Sequence, residues 1–339
     1  MAPRTPPRRA TTPAKAPTLD VARVRAAFAR RAEHALPAVT DVVRLIDGEG
    51  DGAPGVVLDR FGDVARLEVW AADWPAFVGD DAFVAALRGA LDALGVCAAV
   101  RLLRTAAGRS SLLPWWGRVN ESHVVVEDGV RLLVRVADER AAGTGVFVDQ
   151  RAGRRLVRDR ARGRVVVNLF AHAGAYGAAA AVGGAARVDH VDMAKKCAPW
   201  AAANLALNGI DPRGHRFIVD DALLVLKKLS RRSGERPGII VCDPPTQAVR
   251  HDGSRFVLSE SLTELAHDAC AALGDDGTLV LSCNDRDVPV ERVLAAAAEG
   301  ARAAGRTVAS LGELPLPPDI TSAKAERGRP MRGAVLVVR

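Results

Sequence analysis

The sequence predicts an α/β fold built on an open, mostly parallel sheet, and three segments carry that expectation. Residues 165–177, VVVNLFAHAGAYG, read as an apolar strand opening into a glycine-containing turn and a helix. Residues 188–192 form a second short strand ending on Asp192, and residues 241–245 complete a later one ending on Asp243-Pro244-Pro245. In a doubly wound sheet such junctions line up at the carboxyl ends of the strands, where a nucleotide-like ligand lies across them.

The elements follow in order along 339 residues, a length that suits two domains. Residues 1–18 are rich in Pro, Ala, Thr and basic side chains, with no acid before Asp20, as in a disordered basic tail. Such a tail either helps to hold RNA or is only an untidy terminus. Helical apolar spacing over 19–35 precedes strands at 42–47, 55–62 and 64–70. A helix at 75–94 and short strands at 98–103, 122–126 and 130–136 complete an α+β domain over 19–140. From 141 to 339 strands at 164–170, 187–191, 215–219, 238–243, 277–283, 307–311 and 334–338 alternate with helices. Those at 194–207, 221–229, 259–273 and 288–304 are the plainest. Alternation of this kind predicts a Rossmann-like sheet of seven strands.

Composition narrows the function classes. The net charge of +7 favours polyanionic partners, although an arginine-rich, highly soluble surface has the same balance. Hydrophobic residues make up 49%, yet no apolar run reaches the roughly 18 residues of a membrane span. Five widely spaced cysteines without a Cys-x-x-Cys pair argue against a disulfide framework or a metal site and favour the cytoplasm. Aromatics are only 4%, so few side chains are on offer for stacking on bases.

Each junction has a functional and a plain structural reading. Gly174 and Gly177 permit close approach of a cofactor, or equally of a packed helix. Asp192 lies at the offset from which a carboxylate reaches ribose hydroxyls, and it also suits an N-cap. Asp220 and Asp221 stand where an adenine amino group is met, and Asp221 can cap the next helix. Asn204 and Asn208 read as polar surface or C-cap residues. The prolines after Asp243 stiffen a turn that can hold a flat base beside a methyl donor. Cys283, ending an apolar strand, is either an activated nucleophile or a small core residue; Cys242 reads as core. Trp115 and Trp116 offer a stacking surface or buried core. Together the three segments point to a methyltransferase using S-adenosylmethionine.

With Thr144-Gly-Val-Phe-Val-Asp-Gln-Arg151 added, the chain from about Val42 onward resembles the RlmI/RlmK-like family of bacterial 23S rRNA methyltransferases. The resemblance implies S-adenosylmethionine as cofactor, ribosomal RNA as partner, and cofactor contacts from Phe147, Gln150, Arg151, Asn168, Phe170, Gly174, Asp192, Asp221 and Asp243. Catalysis would fall to Asp243 and Cys283. In one branch a thiolate adds to cytosine C6 so that C5 can take the methyl group, and Ser282-Cys283 matches its motif. In the other, guanine N7 attacks directly; Asp243-Pro-Pro-Thr246, Asp192-Met193, Trp200 and Asn284-Asp-Arg286 resemble that branch. Both branches stay open at this point, as do a small-molecule or protein methyltransferase and an RNA-binding module with decayed catalysis. The last is suggested by His172 and Ala173, where relatives carry Tyr and Thr.

Overall fold

The computed structural model describes residues 21–33, 40–53, 55–69, 81–104, 110–138, 143–231, 234–250, 252–285, 287–321 and 331–339. The basic tail at 1–18, the start of the helix expected at 75–94, and Arg286 lie outside the described residues.

The first sheet follows helix α1 (Val21–Glu33) and has strands β1 (Val42–Asp47), β2 (Val56–Phe61), β3 (Val64–Val69), β4 (Ala98–Arg104) and β5 (Ser110–Trp116), in that order. Helix α2 (Asp81–Asp92) makes the crossover that lets β3 and β4 pair in parallel; the other neighbours are antiparallel. Strand β5 was not anticipated. Its Pro114 has no N–H to give a ladder, and the strand accordingly occupies a sheet edge with a register shift opposite Ala99 and Val100. Trp115 and Trp116 pack against the core between this sheet and α1, which favours their buried reading.

A hairpin, β6 (His123–Glu127) and β7 (Val130–Val134), turns on Asp128-Gly129 with φ of 51° and 80°, as a two-residue hairpin turn requires. It joins neither large sheet. Its inner side chains Val125, Leu132 and Val134 share a core with Phe61 and Val64 and with Ala175, Ala178 and Ala179 of the next layer.

The second sheet has seven strands, as expected: β10 (Arg216–Ile218), β9 (Arg187–Val191), β8 (Val165–Leu169), β11 (Ile239–Cys242), β14 (Gly277–Cys283), β16 (Arg332–Val338) and β15 (Val308–Glu313), in that spatial order. The first five are parallel, and β16 runs antiparallel to both its neighbours. Helices α3 (Arg151–Arg160), α4 (Ala175–Val182), α5 (Cys197–Leu207), α6 (Ala222–Ser230), α7 (Leu258–Ala272) and α8 (Val290–Ala303) lie between strands. Strands β8, β11 and β14 are buried at every residue, which explains their continuous apolar runs: both faces are covered. The short hairpin β12 (Gln247–Val249) and β13 (Arg255–Val257) follows Pro245; three-residue strands leave little periodicity to read.

Helix α3 escaped the sequence reading because six of its ten residues are charged and few are apolar. Its buried face is partly ionic. Arg154 forms a bidentate pair with Glu127, at 2.5 and 2.7 Å. Arg151, 1% exposed, pairs with Asp319 and donates to the carbonyl of Val42 at 2.7 Å. The Asp319 carboxylate also accepts from the Arg44 N–H at 2.8 Å, and its carbonyl accepts from Arg31 at 2.8 Å. One buried acid therefore ties α1, β1 and α3 to the β15–β16 connection.

Candidate active site

The carboxyl ends of β11 and β14 open on a cleft of about 630 Å³. Phe147, Asp149, Gln150, Asp243, Pro245, Thr246 and Asn284 form one wall; Arg44, Asp59, Arg66, Glu68 and Arg104 of the first sheet form the other. Asp243 follows β11 immediately, and its Oδ1 accepts from Gln150 Nε2 at 2.8 Å and from the hydroxyl of Ser282 on β14. Gln150 in turn accepts at Oε1 from the Tyr176 hydroxyl, 2.6 Å away. Burial pushes the Asp243 carboxyl up to about 6, Asp149 adds to the rise, and the donors Ser282 and Gln150 together with Arg154 oppose it.

The turn after β8 is held from below by Asp192. Phe170, His172 and Gly174 all have positive φ, at 55°, 47° and 76°. For the two non-glycine residues this costs of order 1–3 kcal/mol each, so the turn needs an outside tether. Asp192 Oδ2 accepts from the His172 N–H at 2.8 Å, and Oδ1 accepts from the Ala194 N–H at 2.8 Å. The capping role of Asp192 is thus present; the Cys197 thiol also hydrogen-bonds to it, and the four lone-pair sites of a carboxylate are not exhausted by these three contacts. A Cβ on Gly174 would come within 2.5 Å of the Ala201 side chain, so close packing of α5 requires this glycine. Asn204, expected on the surface, is fully buried: its Oδ1 accepts from Leu133 N–H at 2.7 Å and its Nδ2 donates to the Ala173 carbonyl at 2.8 Å. It clamps the hairpin to the turn.

Among the other expected site residues, Phe147 is 44% exposed at the cleft, and Asn168 is buried near the end of β8, outside the cleft lining. The Asn168 Nδ2 has no partner among the described residues. Phe170 lies against Phe256, with ring centroids 6.1 Å apart. Asp221 caps α6 through Leu223 N–H and pairs with Arg250, both at 2.8 Å, which leaves its carboxylate committed inside the protein.

Two expected residues lie away from this cleft in the structure. Arg151 does not line the cleft; buried ionic packing against Asp319 accounts for it. Cys283 is fully buried in the core formed with α7 and α8, and burial raises its thiol above the ordinary value. Side chains alternate along a strand, so Ser282 faces Asp243 while Cys283 points to the opposite side of the sheet. Sequence reasoning missed Tyr176 and the first-sheet wall. The sole tyrosine of the chain, placed two residues after Gly174, was the available signal for the former.

A strained turn at the first strand, an acid at the second, an unpartnered asparagine amide, and an acidic cleft at the fourth suit an adenosyl group with a sulfonium centre. The strand order and this site define a Rossmann-like methyltransferase. The chain belongs to the S-adenosylmethionine-dependent methyltransferase family, whose sequence model matches residues 102–329.

A ribosomal RNA large subunit methyltransferase of Deinococcus radiodurans is 30% identical over 296 residues, covering 84% of this chain and 71% of that protein. Ribosomal RNA large subunit methyltransferase I of Klebsiella pneumoniae is 33% identical over 60% of this chain, which spans 51% of that protein. The K/L enzyme of Alcanivorax borkumensis is 36% identical over 48% of this chain and 22% of its own length. A methyltransferase structure solved with S-adenosylhomocysteine (SAH) superposes with a TM-score of 0.80 at 25% identity, over 95% of this chain and 82% of the other. S-adenosylmethionine is therefore the cofactor. Among the described residues no helix is long and apolar enough to cross a membrane.

Proposed function

We propose that the chain transfers a methyl group from S-adenosylmethionine to guanine N7 in ribosomal RNA, in the 23S molecule, by direct attack of the ring nitrogen. Support for an RNA substrate comes from the names of the relatives, all large-subunit rRNA methyltransferases. The observation that favours nitrogen over cytosine C5 is the placement of β14: its hydroxyl side meets Asp243, and its thiol side is sealed in the core. Cytosine C5 needs a thiolate at the reacting face, and a buried thiol held above its usual range offers none.

When bound, the cofactor supplies an electrophilic methyl group. Asn168 and the strained turn at 170–174 would hold it, with Asp192 taking ribose hydroxyls on the lone pairs left by its amide contacts. Asp243 presents its second oxygen, Oδ2, to the target base; as a carboxylate it offsets the positive charge that N7 methylation leaves on guanine. Pro244 and Pro245 fix that carboxylate's approach, and the first domain, read over 19–140, supplies the facing wall through Arg44, Asp59, Arg66, Glu68 and Arg104. The cytoplasm, where ribosomal RNA is modified, is the site of action in this reading.

Nucleoside mass spectrometry of deproteinised rRNA incubated with enzyme and cofactor tests it. The expected product is 7-methylguanosine in 23S rRNA. A 5-methylcytidine product would overturn the nitrogen assignment, and methyl transfer to a protein or small metabolite alone would overturn the RNA assignment.

A further inference from the structure

We propose that Tyr176 and Ser282 are positioning residues for the transfer: they lock Gln150 and Asp243 in one orientation, so that Asp243 offers a single open oxygen to the substrate. The inference rests on the reading of Asp243 as the acid that meets the base.

The direction of each hydrogen bond carries the argument. A phenol donates to Gln150 Oε1, while the other end of that amide, Nε2, faces Asp243. Reversing the amide would aim its oxygen at a carboxylate, an acceptor against an acceptor, so the acid selects Nε2 and the phenol, able to donate or accept, donates to the Oε1 that remains. Tyr176 therefore anchors the far end of Gln150 and holds its Nε2 on the acid. The Ser282 hydroxyl adds a second donor to the same oxygen, Oδ1. Among the described residues no hydrogen bond reaches Oδ2.

Tyr176 has been given a seat. It is 5% exposed, in the first turn of α4, with the Arg154 guanidinium 6.0 Å from its ring centre. On α3, Gly153 stands where a Cβ would lie 2.3 Å from the Tyr176 hydroxyl and 3.3 Å from Leu314. The helix surface is thus hollowed at the point where the phenol must reach Gln150. The charged groups facing this chain are Asp149 and Arg154, with Glu127 paired to Arg154 behind them.

Three substitutions should act alike. Tyr176→Phe removes the donor, Gly153→Ala pushes the ring away, and Ser282→Ala removes the second donor. Each is expected to lower kcat for rRNA methylation about tenfold to a hundredfold, the scale of a misplaced reacting group. Calorimetric affinity for S-adenosylmethionine should stay unchanged, and Ser282→Thr, which keeps a hydroxyl, should restore rate. A rate loss matched by an equal loss of cofactor affinity would overturn the proposal.

A second measurement needs no RNA. Tyr176 is the one tyrosine in the sequence, so protein labelled with ¹³Cζ-tyrosine gives one NMR signal. That signal is expected to shift with a midpoint near pH 6, the value to which Asp243 is pushed. The step should vanish in Asp243→Asn and persist in Asp149→Asn. A signal flat from pH 5 to 7, or a step surviving Asp243→Asn, would sink the coupling. Failure of the RNA reading would appear in the nucleoside spectrum and leave the tyrosine signal untouched.

Discussion

Asp319 and Asp243 each sit in a network of arginine, amide or hydroxyl donors between the two halves of the molecule, yet they are finished differently. Asp319 is fully buried; both carboxylate oxygens and its carbonyl are engaged, by Arg151, the Arg44 N–H and Arg31. Asp243 is half-buried at the cleft and has donors on Oδ1 only. The first acid has no capacity left for a ligand, so its energy goes into holding α1, β1 and α3 together. Incomplete satisfaction of the second leaves a polar atom facing the cleft and raises the cost of its charge. In this fold, the acid that chemistry can use is the one the protein leaves half-finished.

The largest effect expected from this contrast is on stability. Asp319→Ala strands the Arg151 guanidinium in the interior and should cost about 3–5 kcal/mol, read by urea unfolding. Replacing both partners, as Arg151→Met with Asp319→Leu, should recover most of it, because the desolvation penalty goes with the pair. A single variant within error of wild type would show that the network is solvated and the contrast false.

Asp243→Asn is expected to do the reverse. Its amide oxygen can still accept from Gln150 and Ser282, but an N–H₂ group replaces the open oxygen and cannot balance a cationic base, so kcat should fall by roughly 10²–10³-fold. Cofactor affinity should change little, and stability at pH 7 should rise, because the substitution removes a charge that burial disfavours. In wild-type enzyme, activity should fall as pH drops through about 6, where the Asp243 carboxylate takes up its proton. A rate independent of pH between 5 and 7 would remove the carboxylate from the reaction.

How much of this was legible in the sequence differs between the two acids. Asp243 announced itself because it ends an apolar run and precedes two prolines, a local pattern. Asp319 carries no such mark: its partners lie 168, 275 and 288 residues away in sequence, and only tertiary packing brings them together. Helix α3 was hidden for the same reason, since its arginines look solvent-bound until Asp319 and Glu127 are placed beneath them. The strands of the second sheet were legible from their buried apolar runs, and the turn at 170–174 from its glycine; the order of the strands came from the structure. The side of β14 on which each residue falls needed the register with β11 before Ser282 and Cys283 could be told apart.

A smaller effect sharpens the contrast through pH. His190 is buried with neither ring nitrogen partnered among the described residues, and burial lowers its pKa from 6.5 to about 3. The unfolded chain therefore binds a proton below pH 6.5 that the folded chain refuses, and stability falls as pH falls from 6.5 towards 3. Asp243 works in the opposite sense: its raised pKa gives stability that is fully present below 3.8 and lost as pH rises through about 6. On going from pH 7 to 5 the two partly cancel in the wild-type protein. Asp243→Asn removes one side, so the variant should lose about 1 kcal/mol more than wild type over that interval. Equal losses in the two proteins would mean that Asp243 is not held above its ordinary value.

The smallest effect belongs to Cys283, one residue and one sheet face away from Ser282. Because its side chain belongs to the core with α7 and α8, Cys283→Ala should lower stability by roughly 1 kcal/mol through lost packing and leave kcat for rRNA unchanged. Iodoacetamide should modify it far more slowly than Cys97, the exposed cysteine. Loss of all activity in Cys283→Ala, with the fold intact by circular dichroism, would mean that the strand turns its thiol to the substrate during turnover. That result would move the acceptor atom from a guanine nitrogen to a cytosine carbon.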